Sequence, residues 1–125
     1  MCLFFSNTGI LSRIEQERKI ALPEIYKDFF RRSLCSMPAD LAGTDLDNTT
    51  GVLTEGANEL LMENSVENFL HEKDFVFMMH QGYMFWYFRA DGDPDPLVYG
   101  YQERQMRPEK IQPLSSFLQS LRALP

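Results

Sequence analysis

Histidine and cysteine, the side chains that most often carry out catalysis or bind metals at neutral pH, are scarce in this chain. The only histidines are His71 and His80, and the two cysteines, Cys2 and Cys35, have no CxxC or Cys–His spacing around them. Neither histidine belongs to an HExxH motif, or to a GxSxG or Cys–His setting that would supply an activated nucleophile. The sequence therefore predicts no catalytic residues and no zinc site, and we expect a protein without enzymatic activity.

Three aspartates alternate with glycine and proline in DGDPDP, which ends at Pro96, and alternating carboxylates are typical of the start of a calcium-binding loop. Such a loop needs glycine at its sixth position and glutamate at its twelfth, which here are Pro96 and Gln102. Asp91, Asp93 and Asp95 are therefore predicted to form a solvated turn between strands, because Asp, Gly and Pro all favour turns. The phosphate-binding patterns GxGxxG and GxxxxGK(S/T) are absent, so no cofactor is predicted.

Composition and charge narrow the class of partner. The chain has 125 residues, of which 44% are hydrophobic and 24% charged, as expected for one globular domain covering residues 1–125. Its formal net charge of -6 argues against nucleic-acid binding, which needs a basic face to displace counterions from phosphates. The same charge suits a basic protein partner, which it would attract by electrostatic steering.

No targeting or membrane segment is predicted. The N-terminal apolar run, residues 2–5, lacks a basic start and is far too short for a signal peptide. No stretch approaches the roughly 20 apolar residues that a membrane-spanning helix requires. We therefore expect a cytoplasmic protein, in which Cys2 and Cys35 are reduced thiols.

Hydrophobic periodicity predicts four helices, and the second has the clearest boundary signals. Pro23 suits the first turn of a helix, where its missing N–H would have had no partner, and Arg31 and Arg32 suit the negative end of the helix dipole. Residues 36–51 are rich in Pro, Gly, Asp, Asn and Thr, which predicts a loop with at most a short strand. The predicted helices are residues 8–19, 22–34, 54–64 and 114–124.

Three aromatic-rich strands are predicted at residues 74–80, 83–89 and 97–101. Gln81-Gly82 would form the first hairpin turn, so that His80 faces Tyr83 and the pairing continues outward. One face of this hairpin would then carry Phe75, Phe77, Met79, Met84, Trp86 and Phe88, and we expect it to meet the helices, with Trp86 mostly buried. The other face would carry Val76, Met78, His80, Tyr83, Phe85 and Tyr87, and its hydroxyls and imidazole are typical of a half-wet surface. Either this chain or a partner could cover that face.

Three segments of the chain resemble segments of the SUKH superfamily, the Smi/Knr-like proteins, and they occur in the same order along the sequence. LPEIYKDFF, at residues 22–30, is similar to the family's LPxx(Y/F)xxF helix, and LSSFLQSL, at residues 114–121, is similar to its closing helix. Residues 75–103 resemble its block of two strands, an acidic turn and a third strand. The resemblance implies an α+β fold, with a mostly antiparallel sheet flanked by helices, and a non-enzymatic role. Bacterial members resemble immunity proteins that neutralise polymorphic toxins, and fungal relatives are regulatory interaction proteins.

The first functional hypothesis is therefore a protein-binding module, an immunity protein for a basic toxin. Its candidate partner-binding residues are Tyr83, Tyr87, Asp91, Asp93 and Asp95, because this region joins aromatic side chains to carboxylates along the sequence. A solvated hairpin end without a partner remains the alternative for these residues. A regulatory scaffold without a toxin partner, and a small-ligand protein that uses the Tyr-rich face, remain the alternative functions.

Overall fold

The computed structural model describes residues 8–33, 44–46, 52–80 and 83–120 of the chain. Within these ranges five strands form one sheet in the order β1-β2-β3-β4-β5, and every neighbouring pair is antiparallel. The predicted α+β class, with a mostly antiparallel sheet flanked by helices, is confirmed. The elements are α1 Thr8–Arg18, α2 Glu24–Ser33, β1 Thr44–Leu46, α3 Val52–Glu63, β2 Asp74–His80, β3 Met84–Arg89, β4 Leu97–Gln102, β5 Glu109–Pro113 and α4 Leu114–Ser120.

The boundary of α2 follows from its sequence. Pro23 precedes the helix, and its carbonyl accepts the first helical bonds, from the Tyr26 and Lys27 N–H groups, at 3.1 Å each. Glu15 of α1 fixes the approach, because its carboxylate accepts the Leu22 N–H at 2.8 Å and pairs with the Lys27 ammonium at 3.2 Å. The chain between α1 and α2 is thus held by polar contacts before α2 packs on the sheet.

One face of the sheet packs against α1, α2 and α4. Tyr26 of α2 is fully buried at its centre, with its ring 5.4 to 5.8 Å from those of Phe75, Phe77 and Phe88. These edge-on contacts are the geometry that aromatic rings prefer in protein interiors. The other buried members of this first core are Leu11, Ile14, Ile20, Leu22, Phe29, Phe30, Met78, Ala90, Val98, Leu114 and Phe117.

The opposite face of the sheet packs against α3, so the expectation of a half-wet Tyr-rich face is wrong. The buried members of this second core are Leu53, Ala57, Leu60, Leu61, Val66, Val76, Met79, Phe85, Tyr87 and Tyr101. Gly56 lets α3 approach closely, since a Cβ there would lie 3.1 Å from the Met79 sulfur. The segment that follows α3 continues the cover with Phe69 and Leu70.

A β-bulge in β2 changes the predicted pairing. Val76 pairs with Tyr87 as expected, but Met78 pairs with Trp86 and His80 with Met84, so that Phe77 is the extra residue. The slip moves Met78 into the first core and Met79 into the second, which reverses the sides predicted for both. The predicted Gln81-Gly82 turn lies outside the described residues, as do Cys2 and Cys35.

Trp86 faces the helices as predicted and packs against the first core, where it is partly rather than fully buried. It pairs across the sheet with Gly100, and a Cβ on that glycine would lie 3.2 Å from the indole ring. Strand β5 was not predicted, because EKIQP has no alternation of apolar and polar residues and its side chains are mostly exposed. Strand β1 lies within residues 36–51, which were predicted to form a loop with at most a short strand.

Candidate functional site: an acidic and aromatic cleft

A cleft of about 350 Å³ opens at the end of the sheet where β3 ends and β4 begins. It lies on the α3 side of the sheet, between the turn that joins the two strands and the segment after α3. Its walls combine three aromatic rings with charged side chains from β2, β3 and the turn. The lining residues are Phe69, Asp74, Tyr87, Arg89, Asp91, Asp93, Pro96, Leu97, Tyr99 and Pro108.

Phe69, Tyr87 and Tyr99 form the aromatic wall of the cleft. Tyr87 and Tyr99 are directly paired residues of β3 and β4, and their rings stack 5.5 Å apart at 18°. The Phe69 ring lies 5.9 Å from that of Tyr87. Tyr87 is only 6% exposed, whereas Tyr99 is half-buried and Leu97, at the rim, is 39% exposed. The wall is thus rigid at its base and open at the β4 side.

An ion pair between a buried carboxylate and an exposed arginine side chain forms the floor of the cleft. Asp74 and Arg89 face each other at the ends of β2 and β3, and the Arg89 Nε donates to the Asp74 carboxylate at 3.2 Å. Asp74 is 4% exposed, and its second oxygen accepts the His71 N–H at 2.9 Å. These two partners offset the hydration that the buried Asp74 carboxylate loses, whereas the Arg89 side chain is 54% exposed and lines the cleft.

Backbone bonds hold the acidic turn in place. The Ala90 N–H donates to the Lys73 carbonyl at 2.8 Å, and the Ala90 carbonyl accepts the Ala21 N–H at 3.0 Å. Gly92 has a φ of 102°, a backbone conformation that residues with a Cβ rarely adopt. The Asp93 carboxylate then accepts the Asp95 N–H at 2.9 Å. These bonds connect the start of the turn to the segment that follows α1 and to the residue that precedes β2. Asp91 and Asp93 are exposed at the mouth of the cleft.

The cleft is electronegative. Within the described residues no basic side chain forms an ion pair with Asp91 or Asp93, whereas Arg89 is balanced by Asp74. Burial raises the pKa of the Tyr87 hydroxyl well above its usual value, the Asp74 carboxylate and Tyr99 raise that pKa further, and Arg89 partly offsets them. The Tyr87 hydroxyl therefore stays protonated at neutral pH and can both donate and accept a hydrogen bond.

The cleft brings together three of the five predicted partner-binding residues: Tyr87, Asp91 and Asp93. Asp95 lies outside it, because its carboxylate accepts the Ser115 N–H at 2.8 Å and the Ser115 hydroxyl at 2.7 Å, which caps α4. Tyr83 precedes β3 at the opposite end of the strand, where its ring meets that of His80 at 5.6 Å. Tyr87 was expected on a half-wet strand face, but the chain itself covers that face and Tyr87 is buried at the base of the wall.

The other seven lining residues were not predicted, and the four that contribute aromatic rings or charges are Phe69, Asp74, Arg89 and Tyr99. Phe69 follows α3 in a segment without periodicity, so no sequence pattern indicated that it covers the sheet. Asp74 and Arg89 are opposite charges at the ends of adjacent predicted strands, and this signal could have identified the pair. Tyr99 faces Tyr87 through the register of β3 and β4.

Among the residues that the structure describes, no three His, Cys, Asp or Glu side chains are grouped so as to hold a metal ion. None of the helices in those ranges is both long and apolar enough to cross a lipid bilayer. No family model, curated protein or solved structure matches the chain. The SUKH assignment therefore rests on the sequence resemblance.

Proposed function

We propose that this chain is a non-enzymatic protein-binding module, an immunity protein of the SUKH type that binds and neutralises a basic polymorphic toxin in the cytoplasm. The observation that carries the proposal is the cleft, in which an aromatic wall meets two carboxylates without a basic partner among the described residues. The ordered resemblance of three segments to the family and the net charge of -6 support the same function.

The combination of groups suits protein recognition. Buried aromatic side chains supply most of the affinity at protein interfaces, whereas charges at the rim mainly set the association rate and the specificity. Leu97 and Tyr99 offer apolar surface at the β4 side, and Asp91 and Asp93 line the same cleft. Toxins that degrade nucleic acids must be basic to hold phosphates, so an acidic inhibitor attracts them.

Neutralisation of a toxin gives the direct test. A toxic domain encoded by a gene beside this one is the partner to test: it is expressed with and without this chain, and growth and complex formation are measured. We expect the wild-type chain to restore growth and to co-purify with the toxin, and the double variant Asp91→Asn/Asp93→Asn to protect less well. A neighbouring toxin that the chain neither binds nor neutralises would contradict the proposal.

A small-ligand protein is the second candidate function, because about 350 Å³ lies at the lower end of the volumes of small-molecule sites. The cleft would then bind a free cationic or aromatic compound rather than a protein surface. A toxin-binding defect in the Asp91→Asn/Asp93→Asn variant favours the first function. Tight binding of a metabolite at the cleft, with no protein partner, favours the second. A regulatory scaffold remains the prediction if the chain binds a protein partner that is not a toxin.

A further inference from the structure

We infer that the cleft is a receptor for a single arginine side chain, presented by a basic segment of a partner protein. The inference goes beyond the proposed function, because it holds for any partner with such an arginine, toxic or not. It rests on the chemistry of the cleft walls, on the distribution of charge and on the Tyr87 hydroxyl group.

The first observation is the imbalance of charge. The cleft lining contains three carboxylates, on Asp74, Asp91 and Asp93, and one basic side chain, Arg89. Asp74 and Arg89 pair at 3.2 Å, whereas no basic side chain among the described residues pairs with Asp91 or Asp93 at the mouth. The cleft therefore favours a cation over a phosphate or carboxylate ligand.

The second observation is the Tyr87 hydroxyl. Tyr87 is 6% exposed and lines the cleft, yet no hydrogen bond to its hydroxyl forms within the described residues. Solvent reaches this hydroxyl through the cleft, since it is not one of the fully buried polar atoms without a partner. Its oxygen can therefore accept a hydrogen bond from an N–H group that enters the cleft.

The third observation is the aromatic wall, which distinguishes guanidinium from ammonium. Tyr87 and Tyr99 stack nearly parallel, at 18°, and their wall offers a planar cation a surface on which to stack. A guanidinium group is flat and weakly hydrated, and its five N–H donors can reach carboxylates and a hydroxyl together. The lysine ammonium is strongly hydrated and holds its charge at a point, so it would use less of the wall.

The size of the cleft and its apolar rim suit the rest of the arginine. Pro96, Leu97 and Pro108 line the cleft beside Tyr99, where they can contact the methylene groups of the side chain. A volume of about 350 Å³ holds one extended side chain with part of its flanking backbone. It leaves the neighbouring residues of the partner outside, where the Asp91 and Asp93 charges act on them.

The test uses short peptides and the intact chain, so it needs no knowledge of the partner. Acetyl-Gly-Arg-Gly-amide is titrated into the ¹⁵N-labelled protein at low salt, alongside matched peptides with lysine or citrulline in place of arginine. We expect saturable shifts of the amide signals of Gly92, Asp93 and Tyr99 with the arginine peptide, and binding about tenfold weaker or undetectable with citrulline. Because citrulline keeps the shape but loses the charge, this comparison isolates the cation.

Two variants test the residues. Asp91→Asn/Asp93→Asn should lower the affinity for the arginine peptide about tenfold, whereas Glu59→Gln/Glu63→Gln should leave that affinity unchanged. The control variant also removes two negative charges, but from the exposed face of α3, outside the cleft lining. It therefore matches the change in net charge. Both variants should retain the wild-type pattern of amide signals away from the substituted residues, since all four carboxylates are exposed.

Several outcomes would overturn the inference: no saturable shift at the cleft, equal binding of arginine and citrulline, equal binding of arginine and lysine, or equal losses in both double variants. The result is separable from the proposed function. Arginine binding without a toxin partner would refute the immunity role and keep this inference, and toxin neutralisation without arginine binding would do the reverse.

Discussion

Replacing Phe85 and Trp86 by alanine, one at a time, tests which of two adjacent aromatic residues in β3 belongs to the interior. Phe85 is fully buried in the second core, with ring contacts to Tyr101 at 5.4 Å, Tyr87 at 6.1 Å and Phe69 at 6.4 Å. Its truncation should cost about 3–5 kcal/mol of unfolding free energy, the range for a large aromatic residue removed from a core.

Trp86→Ala should lower the free energy of unfolding by less than Phe85→Ala does, although tryptophan is the larger side chain. It is half-buried over Gly100 beside the exposed edge residue Ile111, so only part of its area leaves water on folding. We expect a loss of about 1.5–3 kcal/mol, which is clearly less than the loss for Phe85.

Urea unfolding followed by far-ultraviolet circular dichroism measures both variants with one probe, because it does not depend on the tryptophan signal. Phe85→Leu is the matched control, since it keeps most of the volume and should cost less than about 1.5 kcal/mol. Measuring a larger loss for Trp86→Ala than for Phe85→Ala would refute the two-layer arrangement, because Phe85 would then not be enclosed by α3 and Phe69.

Three further predictions concern the turn and the wall of the cleft. Asp95→Ala should lower the unfolding free energy by about 1 kcal/mol, because the Ser115 N–H loses its capping partner, and Asp95→Asn should lower it less; urea unfolding checks both, and equal stability of Asp95→Ala and wild type would exclude the cap. Gly92→Ala should cost about 1 kcal/mol, since its φ of 102° disfavours a Cβ, and an unchanged urea midpoint would show that the turn relaxes without strain. The raised pKa of Tyr87 in the folded state means that the unfolded chain loses this proton first, so stability should fall as the pH rises above about 10. Tyr87→Phe should flatten that fall, and an identical pH profile for the variant would contradict the burial of the hydroxyl.

Much of the fold was predictable because local signals agreed with the tertiary structure. Pro23 marks the start of α2, which begins at Glu24, and the aromatic runs of β2 and β3 match the predicted strands within one residue. The bulge at Phe77 was not predictable, because no glycine or other local signal accompanies it. It depends on how the two cores pack on either side of β2, which the pattern of one strand does not contain.

The candidate site was predictable in its charges and not in its walls. Turn chemistry placed Asp91 and Asp93 in an acidic turn, and the structure puts both at the mouth of the cleft. Asp95 looked equivalent in sequence, but its carboxylate caps α4, which begins 19 residues later at Leu114. Phe69 reaches the wall from an irregular segment, so its place depends on the course of the chain after α3 rather than on a motif.

The association rate of the proposed toxin partner measures the central claim, that the cleft is the protein-binding surface, most directly. Stopped-flow or surface-based kinetics with wild type, Asp91→Asn/Asp93→Asn and Glu59→Gln/Glu63→Gln should be recorded at low and at physiological salt. We predict that the cleft variant associates about tenfold more slowly at low salt, that salt narrows the difference, and that the control matches wild type. Equal association rates for all three proteins at low salt would contradict the claim.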